Sequence, residues 1–169
     1  MGAIFKLFDS ILLVSFLVHA LAPPLIGAQL LLPRALFPDL LIDFKNHYIT
    51  QSGDYLMAEA PHFFIGLLWL ELLLQWPLTL LNLYAISTAK SWLHTTCLIY
   101  GVSLFSAMAA IAAELIGSQR ASGILLKMYL PFLGLGVFAT LRGLLPRCCS
   151  KATATGHGAG PSIATKKKA

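Results

Sequence analysis

Four long apolar runs, at about 10–32, 61–85, 92–116 and 122–145, alternate with shorter polar stretches along this chain. A helix that crosses the hydrocarbon core of a bilayer needs roughly 20 mostly apolar residues. Each run is therefore a candidate span, and no alternating strand pattern competes with it. The second run differs in carrying a carboxylate at its centre. On one helix, Glu71, Gln75, Thr79 and Asn82 fall at i, i+4, i+8 and i+11, so these polar groups share a face while Leu, Trp and Phe cover the rest. Such a stripe must face protein or a wet cavity, because an ionisable group at a span's centre costs about 2.5–3.5 kcal/mol even on a lenient scale. Pro77 removes a backbone donor and leaves the Leu73 carbonyl without its helical partner, which predicts a kink beside Gln75.

In the first run, Lys6 precedes an apolar stretch and Ala20-Leu21-Ala22 resembles a signal cleavage site. The apolar run continues to Leu32 and Pro23 would follow the cut, so an uncleaved span is expected. Ser15 and His19 lie one turn apart, ahead of a Pro23-Pro24 pair that should kink the helix. His19 serves either as a hydrogen-bonding partner of a neighbouring helix or as a ligand contact. No second His or Cys stands at ligand spacing, so metal binding is not supported. Between the first two runs, Leu40, Leu41, Phe44 and Tyr48 recur at helical spacing, predicting a short amphipathic helix that caps the lumenal mouth of the bundle.

Asp54 follows Gly53 in the tract leading into the second span, where it is placed to fold towards Glu71. If the two acids meet in a low-dielectric pocket, one holds a proton for the other, a device suited to an amine, to a hydroxyl or to acid–base work. The alternative keeps Asp54 solvated and Glu71 bonded to Gln75 or a tyrosine. Small residues from Gly101 to Ala113 put the third span in the middle of the bundle or at a dimer seam. Tyr100 adds a hydroxyl to it, and Glu114 near its end snorkels to water. In the fourth span, Tyr129, Pro131 and Phe132 bring a hydroxyl, a break and an aromatic into one turn, with Tyr129 either packing or reaching a ligand.

Composition agrees: 57% hydrophobic and 11% charged residues with a mean hydropathy of +0.77 describe a membrane protein. The expected fold is all-α, a polytopic four-transmembrane-helix bundle over 10–145 with a short helical lumenal cap between helices 1 and 2. A cytosolic N-terminus (1–9) and a disordered basic cytosolic tail (146–169) flank it. Lys6, Lys90, Arg142, Arg147, Lys151 and Lys166 to Lys168 fall on one side, against Arg34, Lys45, Arg120 and Lys127 on the other. The positive-inside rule then puts both termini in the cytosol. The net charge of +5 reads as topology and headgroup attraction, and nucleic acid is not an expected partner. Cys148 and Cys149, just past the last span, are either inert thiols or palmitoylation sites. Lys166 and Lys167 stand four and three places from the carboxyl end, the pattern of a dilysine retrieval signal of the endoplasmic reticulum, with a generic polybasic end as the alternative.

Phe16-Leu17-Val18-His19, Leu32-Pro33-Arg34, Phe37-Pro38, the tract Asp54 to Pro61, Leu70-Glu71 with Gln75, Leu98-Ile99-Tyr100 and Tyr129-Leu130-Pro131-Phe132 resemble, in order and spacing, the sigma-2 receptor (transmembrane protein ninety-seven) branch of the EXPERA-domain membrane proteins. Relatives of that branch include the emopamil-binding sterol isomerase. The resemblance covers roughly residues 10–145. It implies an endoplasmic-reticulum four-helix bundle, usually a homodimer, whose occluded apolar cavity is reached from the lipid and takes sterols such as cholesterol or amphipathic amines. It also implies a role in cholesterol handling beside the Niemann–Pick type C transporter. Asp54, Glu71, Gln75, Tyr100 and Tyr129 match the cavity residues of that branch, and His19 joins them as a candidate. Gly27 stands where the receptor has an acid, and Phe132 where it has a tyrosine, which weakens the case for amine binding. The isomerase sets a histidine one turn before its glutamate, whereas Leu67 holds that place here, so the resemblance favours a binding protein over a sterol Δ8–Δ7 isomerase. No cofactor is implied. A purely structural or partner-binding membrane protein is the third reading.

Overall fold

The structure, a computed structural model, describes residues 2–145, with side chains from residue 6. The candidate tail features Cys148, Cys149, Lys166 and Lys167 lie outside the described residues.

In lipid a helix gains little by hiding apolar side chains, so inward and outward faces are told apart by polar and small residues. The first helix, α1 (Gly2–Leu25), shows this. Leu7, Ile11, Val14, Val18 and Leu21 are exposed on one face, while Asp9, Leu12, Phe16 and His19 are buried on the other. The two prolines end the helix at Leu25 after one further residue, and a 3-10 turn over Gly27–Leu30 carries the span to its end. Pro24 has no N–H to give the Ala20 carbonyl four residues back. The indole N–H of Trp76 donates to that carbonyl at 2.9 Å, tying the second span to the first where the helix is broken.

A short 3-10 turn (Arg34–Leu36) leads to the cap, made of α2 (Asp39–Ser52) and α3 (Tyr55–Glu59). Gly53, at φ 66°, closes α2 in the left-handed conformation that glycine adopts without steric cost. The second span is α4 (His62–Leu70), a π turn over Glu71–Gln75, and α5 (Trp76–Ser87), followed by α6 (Leu93–Gly117) and α7 (Gly123–Leu144). Among the described residues there is no strand, and the four spans expected from the hydropathy pattern are present.

The kink expected at Pro77 takes the form of this π turn. The Trp76 N–H reaches back five residues to the Glu71 carbonyl, and the Thr79 hydroxyl donates to that of Gln75 at 2.8 Å. The widened turn rotates the rest of the span, yet Gln75, Thr79 and Asn82 all remain buried. The polar stripe thus faces protein along its length. Helices α6 and α7 approach most closely, backbone against backbone. A Cβ built at Gly136 would lie 2.8 Å from the Phe105 nitrogen, and one at Gly143 2.6 Å from that of Leu98. Of the small residues in the third span, Gly101 and Ala107 are buried inside the bundle, while Ser106, Ala109, Ala110 and Ala113 face outward.

Arg142 departs from its expected place among the cations facing the headgroups. It is 1% exposed, and its Nε donates to Asp9 Oδ1 of α1 at 2.7 Å. Beside this pair the rings of Phe8 and Phe138 stack at 4.5 Å. Arg142 therefore joins the first and last spans and is not a surface charge.

Candidate functional site

A cavity of about 420 Å³ occupies the cap half of the bundle. The break in α1 supplies His19, Ala22, Pro23, Ile26 and Gly27, and the second span supplies Phe64, Leu67, Leu68, Glu71 and Gln75. Ala107, Met108 and Ile111 come from α6, and Lys127, Met128, Tyr129, Pro131 and Phe132 from α7. Tyr48 of α2 and Met57 of α3 close it from the cap. Both proline breaks therefore sit on its wall, where a helix that departs from straightness leaves room. Lys127, Met128 and Pro131 are exposed. The open side thus lies along the lipid-facing edge of α7.

The wall is apolar except for a few groups. His19, 2% exposed, has neither ring nitrogen hydrogen-bonded, and its Nε2 lies 3.7 Å from Glu71 Oε1. That separation is too long for a hydrogen bond. An aromatic frame fixes the imidazole, edge-on to Tyr100 at 5.6 Å and 6.1 Å from the Phe132 ring. Gln75 Nε2 donates to the Ser103 hydroxyl of α6 at 3.1 Å, anchoring the amide beside the π turn. A Cβ at Gly27 would meet Leu68 Cδ2 at 3.4 Å and Glu71 Oε2 at 3.6 Å. The glycine therefore leaves about a methyl group's worth of space in front of the carboxyl.

Two of the candidate residues stand one layer behind the wall. Asp54 is fully buried as the N-cap of α3, accepting from the Met57 N–H at 3.2 Å, the Tyr48 hydroxyl at 3.1 Å and the Tyr129 hydroxyl at 2.9 Å. Its oxygens are spent on the cap and on two tyrosines that do line the cavity. The expected pairing of Asp54 with Glu71 is not formed: Asp54 is buried and bonded to Tyr48 and Tyr129, because capping α3 holds the carboxylate away from the second span. Burial first, and then the Asp54 carboxylate, push the Tyr48 phenol above its ordinary value, so it stays a donor. Tyr100 is also fully buried, edge-on to Phe16 at 5.0 Å, and it supports His19 from behind. Ser15 turns to its own helix, donating to the Ile11 carbonyl at 2.9 Å.

The cap is held down by the turn between α6 and α7. Arg120 makes a two-pronged ion pair with Glu59 and stacks over the Tyr55 ring at 4.3 Å. The Tyr55 hydroxyl bonds that of Ser118 at 2.8 Å, and the Ser122 hydroxyl donates to the Ser52 carbonyl at 3.2 Å. Hydrogen bonding from Arg120 holds the Glu59 carboxyl below the usual carboxylate range. The pair therefore persists at mildly acid pH and loosens only as pH falls through that lowered value.

Sequence reasoning missed Trp76 as the partner of the Ala20 carbonyl and Asp9 as the partner of Arg142. An acid at the edge of the first apolar run and a base near the end of the last, on the same side of the bundle, were the available signals for the ion pair.

Residues 40–142 match the family model described as EXPERA (expanded EBP superfamily). The chain is 26% identical over 112 residues to "Sigma intracellular receptor 2" of Xenopus tropicalis, covering 66% of each protein. It is 28% identical over 116 residues to the protein of that name from Macaca fascicularis, 65% of this chain and 64% of the relative. Against the Homo sapiens protein it is 29% identical over 114 residues, 64% of this chain and 63% of the relative. The match spans just under two thirds of the length of these curated relatives.

Proposed function

The chain belongs to the EXPERA family, and from that membership and the cavity we propose that it is a sterol-binding membrane protein of the sigma-2-receptor type. In this reading the apolar body of the ligand lies against Leu67, Leu68, Met108 and Phe132, and its hydroxyl sits to one side of the 3.7 Å gap between His19 Nε2 and Glu71 Oε1, within hydrogen-bond reach of both. That gap is the observation that carries the proposal. A buried, unbonded histidine and a part-exposed carboxyl face each other at the cavity wall, too far apart to satisfy one another and close enough for one hydroxyl to bond both.

A ligand arriving from lipid leaves one apolar medium for another, so apolar burial contributes much less than the roughly 25 cal/mol per Å² gained on leaving water. The polar end therefore decides affinity. Gly27 keeps the space before Glu71 free for a neutral hydroxyl and supplies no second acid for an amine. Residence in the endoplasmic reticulum with both termini cytosolic, homodimerisation and cooperation with a cholesterol transporter belong to the same reading. The asymmetry of basic residues and the terminal lysines support the first of these.

The test is saturable binding of radiolabelled cholesterol to the purified chain. The expected result is a binding constant weakened about tenfold by Glu71→Leu and unchanged by Glu114→Leu. Equal effects of the two would rule the cavity out as the binding site. A second reading, a sterol Δ8–Δ7 isomerase, is favoured by His19 alone, since α1 brings opposite Glu71 a histidine that the second span lacks one turn before that residue. One of the two groups would protonate the alkene and the other take a proton from the neighbouring carbon. Conversion of a Δ8 to a Δ7 sterol by the same preparation would establish it.

A further inference from the structure

A second recess, of about 230 Å³, lies where the end of the first span meets the cap helix, lined by Gln29, Arg34, Phe37, Ile42, Lys45 and Asn46. Its lining holds two cations and no acid. The nearest carboxylate to Arg34 is Asp39 at 3.9 Å, with side chains 80% and 91% exposed. An exposed pair of that kind is worth little and leaves the guanidinium available. Among the described residues no ion pair engages Lys45. The Gln29 amide is fixed by donating to the Leu41 carbonyl of α2 at 3.1 Å, which leaves its Oε1 a buried acceptor with no donor in the protein. A buried acceptor without a donor is costly, so the site favours a donor from outside.

The depth of the recess says what that partner is. The first span ends at Leu30, so Gln29 lies at the limit of the hydrocarbon and Arg34 and Lys45 at the level of the headgroups. Leu32, Leu36, Leu40 and Phe44, on the adjoining turn and helix, are exposed, offering an acyl chain an apolar surface beside the two cations. We infer that this recess binds the headgroup of one glycerophospholipid. Its phosphate sits on Arg34 and Lys45, and a hydrogen-bond donor of the headgroup, an ammonium or a hydroxyl, meets Gln29 Oε1. Ethanolamine and glycerol headgroups supply such a donor, whereas the methylated nitrogen of choline does not. The site is separate from the sterol cavity and stands whether or not that cavity holds a sterol.

Native mass spectrometry of the full chain in detergent tests it, with titrations of phosphatidylethanolamine, phosphatidylglycerol and phosphatidylcholine of identical acyl chains. The expected result is one equivalent of the first two, bound at least fivefold tighter than the third. Arg34→Gln with Lys45→Gln should weaken both at least tenfold, and Gln29→Met should bring both to the level of phosphatidylcholine. Arg34→Gln alone, at a largely exposed side chain, should weaken binding severalfold without touching the fold, as the unchanged unfolding temperature of the variant would show. Equal affinity for the three lipids, or undiminished binding by the double variant, overturns the inference. Displacement of the lipid by millimolar inorganic phosphate overturns the lipid as the ligand and makes the site one for the free anion.

Discussion

The separation of 3.7 Å between His19 Nε2 and Glu71 Oε1 makes a double-mutant cycle informative. In the empty cavity the two groups are not hydrogen-bonded to one another, so removing both breaks no bond between them. A hydroxyl oxygen about 2.8 Å from each fits to one side of the pair, accepting from one group and donating to the other. Each such bond contributes about 1–1.5 kcal/mol, so His19→Leu and Glu71→Leu should each weaken cholesterol binding about 5- to 10-fold. Because one hydroxyl serves both, the double variant should depart from the product of the single effects by at least 0.5 kcal/mol, about twofold. The assay is equilibrium binding of tritiated cholesterol to the chain in nanodiscs, with cholestane, which lacks the hydroxyl, as competitor. Cholestane should compete equally well against all four proteins relative to its own affinity. The reasoning fails if the two substitutions combine additively, or if they weaken cholestane as much as cholesterol, since then the pair senses cavity shape and not a hydroxyl.

Three further outcomes rest on the packing. Gly136→Ala and Gly143→Ala place a methyl against the α6 backbone, which no rotamer change relieves, and each should destabilise the protein by about 1–3 kcal/mol in thermal or denaturant unfolding. Gly134→Ala, which meets nothing within 4 Å, should instead gain up to about 1 kcal/mol from helix propensity, and the reverse order would refute the close α6–α7 seam. Arg142→Met alone removes the guanidinium from a buried Asp9 and should cost about 3–5 kcal/mol, while Asp9→Leu with Arg142→Met should cost clearly less; equal losses in unfolding experiments would deny that the pair is buried. Asp54→Ala removes a cap worth about 1 kcal/mol and leaves two tyrosine hydroxyls without an acceptor at about 1–3 kcal/mol, so its unfolding midpoint should fall well below that of Asp54→Asn, which keeps one acceptor.

Much of this was written in the chain itself. The four spans, the cap helix and the shelter required by Glu71, Gln75, Thr79 and Asn82 come from run length and from the cost of polar groups in hydrocarbon, which hold wherever the helices lie. Pro77 announced a break in the second span. That the break is a π turn depended on the neighbouring N–H groups finding other carbonyls. Only the tertiary structure decided which polar groups line the cavity and which stand behind it. Asp54 and Glu71 resemble each other in the sequence, yet one is consumed in capping α3 and bonding Tyr48 and Tyr129, while the other lies 3.7 Å from His19 on the cavity wall. The pairing of Asp9 with Arg142, 133 residues apart, and the service of Trp76 to the Ala20 carbonyl were likewise settled by packing. The physical reason is that in lipid an outward leucine and an inward leucine cost nearly the same. Periodicity therefore fixes that a helix spans, and contacts between helices fix which way it turns.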